Sequence, residues 1–446
     1  MAMQRQTPPA PQHPSGLCFI IGNEAAERFS YYGMKSILVT VMTTTLLNAQ
    51  GARAVMSEDD AAFWFHTFTM GNYLFPLFGA LLADMVWGKY RTILLLSFVY
   101  CCGHLALAID ETRVGLAVGL ALIAIGSGGI KPCVSAHLGD QYRARGVAAT
   151  TEGFSLFYLA INLGALCSSL AIPWLFERYG STVAFGVPGL VMAFATWIFW
   201  LGRTRYVTIP PTPWRTYTAA ILGVGNRSQL ITLALLFLTI SIFWSLFDQT
   251  SSSWVLQAEH LDRRLELPLF GFIELLPAQL QAINPLLILL FAPLFAWGVY
   301  PWLQQRGWLT SRGKITTGMA LASLSFAIIA VAQSELSQGN HVSVVWQILA
   351  YVFLTAAEVL VSVTTLEMAY VNAPGASKSF ATSFYLLSVA LGNGFTALCS
   401  GYLAAYIGAT ASTSYFLFFA ALPLLLTIPA GILSGRIEGM ALQRAQ

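Results

Sequence analysis

The sequence predicts an all-α polytopic membrane protein: twelve membrane-spanning helices arranged as two six-helix bundles. Three observations lead there. Apolar residues make up 56% of the 446 residues and charged ones only 10%, where a soluble domain carries about 25% charged. Twelve apolar stretches follow one another, each long enough for a membrane helix of about 20 residues or more. A short motif, Gly-Lys-x-x-Thr, occurs at Gly88–Thr92 and again at Gly313–Thr317. Each copy falls between the second and third span of a six-span half, which supports two six-helix halves with a site at their interface.

The elements follow in order. Residues 1–16 are rich in Pro and Gln and hold no apolar signal region, so a disordered cytosolic tail is expected. Spans are expected at 17–47, 59–86, 90–109, 114–138, 150–175 and 183–202, which form the N-terminal bundle, 17–202. A linker, 203–228, holds Pro210, Pro211 and Pro213 and is too short for another pair of spans. The C-terminal bundle, 229–435, takes spans 229–257, 278–302, 313–334, 342–371, 378–406 and 413–435, and a cytosolic tail, 436–446, ends the chain. With this order, fifteen Lys and Arg lie on the side of the termini, five on the other side, and three within spans. The bias makes both termini cytosolic. A net charge of +3 is too small to suggest nucleic acid. The six cysteines lie in or beside apolar spans without a Cys-x-x-Cys pair, so neither a disulfide framework nor a metal site is expected.

The chemistry concentrates in the first span. Glu24, Glu27, Arg28, Tyr31, Tyr32 and Lys35 fall within about 140° of one helix face at ~100° per residue. Such a face must line a bundle interior or a cavity, because charge in hydrocarbon is costly unless paired or wetted. The alternative is a structural ion-pair cluster that locks helices together. At ~1.5 Å per residue, Lys35 lies about 27 Å into span one and Asp248 about 28 Å into span seven. Opposite charges at one depth in different halves predict a pair. Lys131, in span four, comes at the height of Glu27 and Arg28 and is expected to meet Glu24 or Glu27. The intramembrane bases are all in the first half, and the second half holds only acids, Asp248, Glu358 and Glu367. A basic wall facing an acidic one suits a zwitterion with separated ends, a short peptide or an amino acid.

Glu24-x-x-Glu27-Arg28-Phe29-x-Tyr31-Tyr32 resembles the E-x-x-E-R-F-x-Y-Y motif of the proton-coupled oligopeptide transporter (POT) family, within the major facilitator superfamily. Gly128-Gly129-Ile130-Lys131-Pro132, Phe157-Tyr158-x-x-Ile161-Asn162-x-Gly164, Phe243-Trp244-x-x-x-Asp248-Gln249, Asn284-Pro285 and the stretch from Glu358 to Pro374 are similar to further family signatures. Ala83-Asp84-x-x-x-Gly88-Lys89 resembles the superfamily's cytosolic loop motif, which is gate structure. Two positions depart: Tyr385 stands where the family often has Trp, and Lys35 where it often has Arg, which keeps the charge and loses the planar fork.

The resemblance implies a proton-coupled importer of di- and tripeptides, not an enzyme. It would need no cofactor beyond the proton gradient and would act as a monomer in a bacterial inner membrane. By the same resemblance Arg28 and Lys131 hold the peptide carboxylate, Glu358 the ammonium, and Asn162 and Asn284 the peptide amide. Tyr31, Tyr32, Tyr73, Trp244 and Tyr385 shape the pockets. Glu24, Glu27, His66 and Asp248 carry protons. Lys35 is expected to line the substrate site as well, and, from the matched depths, Lys35 with Asp248 is expected to gate the outer side. The rivals are a transporter of another small zwitterion or anion, such as an amino acid or nitrate, and a non-transporting receptor on the same fold. A hydrolase is disfavoured, since neither Gly-x-Ser-x-Gly nor His-Glu-x-x-His occurs.

Overall fold

The computed structural model describes residues 13–143, 145–216, 227–267, 271–307, 310–372 and 378–445. Most of the expected N-terminal tail, linker residues 217–226 and the Ala373-Pro374 end of the span-ten motif lie outside the described residues.

Twelve long rods can be followed among them. They are α1 (Leu17–Thr44), α2 (Glu58–Leu82), α3 (Lys89–Ile109) and α4 (Arg113–Gln141). One helical run, Val147–Leu201, is broken at Gly180. A φ of 80° there suits glycine and divides the run into α5, 147–179, and α6, 181–201. Then come α7 (Arg227–Phe247) and α8, which is Ile283–Leu294 continued through a π turn to Gln305. The last four are α9 (Ser311–Ser337), α10 (Val345–Asn372), α11 (Lys378–Leu398) and α12 (Thr413–Ala445). Nine described helical segments are long and apolar enough to cross a membrane, one of them holding both α5 and α6. The two outside that set are α1 and α2, which bury Glu24, Glu27, Arg28, Lys35, His66 and Asn72.

The gap expected between spans five and six is reduced to the break at Gly180, and residues 436–445, expected as a tail, continue the helix of α12 to Ala445.

Local sequence sets the starts. Ser57 Oγ accepts from the Asp60 amide at 3.2 Å, and Glu58, Asp59 and Asp60 fill the first turn of α2, where the helix dipole favours acids. Thr112 caps α4 and Thr310 caps α9 in the same way. Within the first half α1 packs on α5 and α3 on α4; within the second α9 packs on α10 and α12. Across the halves α2 packs on α11. Small residues allow the closest approaches, as in membrane bundles generally: a Cβ on Gly79 of α2 would stand 2.3 Å from the Gly128 carbonyl oxygen of α4. The outer surface exposes Leu190, Phe194, Leu425 and Ile428, a face for lipid rather than water.

The end where α1 stops and α2 begins is called the upper end below. A two-stranded antiparallel hairpin, β1 (Arg264–Leu267) and β2 (Gly271–Glu274), stands there between α7 and α8. No signal in the apolar pattern announced it, because it lies wholly in a connection.

A buried charged site between the two halves

Near the upper end, Lys35 of α1 and Asp248 meet. Lys35 Nζ lies 2.5 Å from Asp248 Oδ1, and both side chains are almost wholly buried. Asp248 stands where the α-helical ladder of α7 gives way to a 3-10 turn, Asp248–Ser251. The second carboxylate oxygen accepts from Asn393 Nδ2 of α11 at 2.7 Å. That amide nitrogen also donates to the Val389 carbonyl at 3.0 Å. Both neighbours can only accept, so the Asn393 amide is fixed, with its oxygen towards His66 of α2. His66 Nδ1 lies 2.8 Å from that oxygen and therefore carries a proton. His66 Nε2 lies 2.8 Å from Ser252 Oγ. A neutral His66 accepts there from the hydroxyl; a charged one donates once the hydroxyl turns.

Further bonds join the halves at this end. Gln281 Nε2 donates to the Ser36 carbonyl at 3.0 Å and Gln279 Nε2 to that of Leu170 at 2.9 Å. The Thr410 amide donates to Asp59 Oδ1 at 2.6 Å.

Deeper in, α1 presents its acid–base face. Arg28 Nε lies 3.0 Å from Glu24 Oε1 and Arg28 Nη2 2.5 Å from Glu27 Oε2. Lys131 of α4 departs from expectation. Its Nζ forms no ion pair with Glu24 or Glu27; it sits over the rings of Tyr31 and Tyr73, 4.1 and 4.2 Å from their centroids. Depth along a helix fixes height, not the direction a side chain points. Two π faces attract an ammonium but leave its three donors free for an anionic ligand.

The facing wall belongs to the second half. Glu358 Oε2 of α10 accepts from Asn284 Nδ2 of α8 at 2.8 Å, and the same nitrogen lies 3.1 Å from Thr355 Oγ1. No base forms an ion pair with Glu358 among the described residues. Tyr385 of α11 shares a hydrogen bond of 2.9 Å with Ser362 and packs edge-on against Trp244, ring centroids 6.0 Å apart. Across from them Tyr31 and Tyr32 form an edge-on pair at 5.3 Å. Asn162 of α5 donates to the Tyr158 carbonyl of its own helix at 2.9 Å.

Asp84 and Lys89 lie apart from this site, at the lower end. Lys89 Nζ donates to Asp140 Oδ2 at 2.6 Å, with Arg143 at 3.5 Å on the other oxygen. The Asp84 carbonyl accepts from the Thr212 amide of the linker at 2.7 Å. Three partners are not among the expected site residues: Asn393, Ser252 and Thr355. All are neutral, and neutral polar residues are common in apolar spans. The family signature drew attention to Glu358 and Asp248; what those carboxylates lean on had to be seen.

Twelve helices in two bundles that meet on a buried charged site define the major facilitator fold. Within it, the chain belongs to the POT family, whose sequence model matches residues 90–218 and 215–414. It is 39% identical over 380 residues to "Peptide transporter family 1" of Drosophila melanogaster, covering 75% of this chain and 49% of the relative. It is 34% identical over 376 residues to human "Solute carrier family 15 member 2", covering 73% and 50%. The chain thus spans about half the length of these relatives. Among solved structures, an auto-inhibited POT family peptide transporter superposes with a TM-score of 0.82 at 32% identity, covering 95% of this chain and 97% of that one.

Proposed function

We propose that the protein imports di- and tripeptides together with protons, by rocking the bundles 17–202 and 229–435 about the site between them. The observation that carries this reading is the sorting of buried charge. Arg28 and Lys131 stand in one half; Glu358, held by Asn284 but without a base, stands in the other. A peptide laid across has its carboxylate towards the bases and its ammonium towards the acid. Asn162 and the free oxygen of Asn284 serve the amide between them. Tyr31, Tyr32, Tyr73, Trp244 and Tyr385 bound the side chains.

Proton coupling belongs to Glu24, Glu27, Asp248 and His66. A carboxylate beside a base keeps its charge, and a buried one without a base favours the neutral acid. Exchange of partners therefore takes up or releases a proton. With Asn393 between His66 and Asp248, the histidine acts on Asp248 through that amide. Lys35 and Asp248 gate the upper end, which faces outward if the termini are cytosolic, as the Lys and Arg bias supports. Asp84 and Lys89 then belong to the opposite gate. One chain holds both walls of the site, which favours a monomer, placed in a bacterial inner membrane.

The test is uptake into proteoliposomes under an imposed proton gradient, with a panel of an amino acid, di- and tripeptides, an N-acetylated dipeptide and nitrate. The reading expects accumulation of free peptides only. It also expects Glu24→Gln or Glu27→Gln to abolish gradient-driven accumulation while peptide counterflow persists. Accumulation of the amino acid or nitrate in place of peptides would overturn the substrate, and driven uptake by both variants at the wild-type level would overturn the proton role.

A further inference from the structure

The outer flank of the first bundle carries a groove that the transport site does not use. Helices α2 and α4 touch backbone to backbone at Gly79 and Gly128. Towards the upper end they part, and a cavity of about 360 Å³ opens between them. Its α2 side includes Trp64 and Gly71; its α4 side includes a stripe of Arg113, Ala117, Ala121 and Ala124, with Leu116 and Leu120 beside it. The stripe spacing of four, four and three residues keeps these side chains on one face. The two sides converge at the lower limit, where a Cβ on Gly71 would touch Ala124 at 3.9 Å. The groove is therefore a wedge, closed at depth and open at the upper surface.

Its dimensions are those of one membrane leaflet. From Arg113 to Ala124 is eleven residues, about 16 Å of helix, and half of a hydrocarbon core of ~30 Å is about 15 Å. Small residues hollow the wall, and Trp64, half exposed, stands near the mouth, as tryptophans do at a membrane interface. Arg113 stands at the mouth. Its Nε and Nη2 donate to the carbonyls of Ala54 and Val55 at 3.0–3.3 Å. These partners are neutral, and no carboxylate forms an ion pair with Arg113 among the described residues. A full positive charge thus stands at the headgroup level of an apolar slot one leaflet deep.

We infer that this groove binds a single anionic phospholipid, with one acyl chain between α2 and α4 and the phosphate on Arg113. The site has a bearing on α2 as a whole. Trp64 and Gly71 lie on the face of α2 roughly opposite His66, so a seated chain backs the helix that carries His66 to its partners in the other half.

The test uses the full chain in mild detergent, titrated with phosphatidylglycerol or with phosphatidylcholine of the same acyl chains, and read by native mass spectrometry. The wild type should hold one phosphatidylglycerol roughly fivefold more tightly than phosphatidylcholine, the effect of one basic residue near a membrane surface. Arg113→Gln should bring the two lipids level. Ala121→Phe should fill the slot and remove the one-to-one adduct of both, while Leu190→Phe, on an exposed face elsewhere, should leave it intact. If Ala121→Phe fails to fold, Ala117→Leu serves the same purpose. Equal retention of both lipids by the wild type would overturn the anionic headgroup, and undiminished adducts in the filled variants would overturn the groove.

Discussion

Two buried charge sites, one above the other, treat their charges in opposite ways. At the upper end Lys35 and Asp248 are joined across the halves, and the remaining oxygen of Asp248 is taken by Asn393, itself fixed by Val389 and His66. In the middle, Lys131 rests on two tyrosine rings and Glu358 on an amide, neither paired with an opposite charge. The first arrangement completes itself and so holds the halves together. The second leaves an ammonium on one wall and a carboxylate on the other without an ion-pair partner among the described residues. On the proposed function the satisfied pair is the latch and the unsatisfied pair the binding site, although each is made of a lysine and a carboxylate.

Breaking the latch should have the largest effect. Asp248→Ala strands the Lys35 charge, at a cost of roughly 3–5 kcal/mol in a buried site. Driven uptake should fall to background, and the swap of Lys35→Asp with Asp248→Lys should restore part of it. Uptake near wild type in the single variant would show that the contact carries no function.

Removing one side of the open site should come next. Glu358→Gln loses a hydrogen bond to a charged amine, about 1.5–3 kcal/mol, or roughly 10- to 150-fold in affinity. Competition assays should show that loss for free dipeptides and little change for N-acetylated ones. Equal losses would remove Glu358 from amine recognition.

Loss of the amide that joins Asp248 to His66 should affect uptake less, because the Lys35–Asp248 pair itself survives Asn393→Ala. The variant should fold and bind peptide while its driven uptake shifts in pH dependence relative to wild type; an unchanged pH profile would separate His66 from the latch. Smallest is Tyr385→Phe, which loses the bond to Ser362, worth roughly 0.5–1.5 kcal/mol. It should alter affinity a few-fold for peptides with large side chains and leave dialanine unchanged.

The parts legible in the sequence were those that hydropathy and charge encode. Twelve apolar stretches announce the helices, and counting residues placed Lys35 and Asp248 at one height before their contact was seen. The same count misdirected Lys131, because height says nothing of azimuth, and aromatic faces also attract an ammonium. The polar stretch at 177–182 marked the break at Gly180, whereas Asn393 went unmarked because a neutral amide stands out only when its neighbours are known. The wedge between α2 and α4 depends on where Gly79 and Gly128 touch, a tertiary fact with no local signature.

The most direct test of the latch is a distance. Spin labels at Glu177, on the upper end of α5, and Phe272, on β2, both exposed, report the separation of the halves in a background with the six native cysteines replaced. Pulsed electron resonance on Asp248→Asn should show the short upper-end distance of the parent partly replaced by a longer one, with Lys35→Gln giving the same shift. Distributions identical to the parent in both variants would contradict the claim that this buried pair holds the upper end closed.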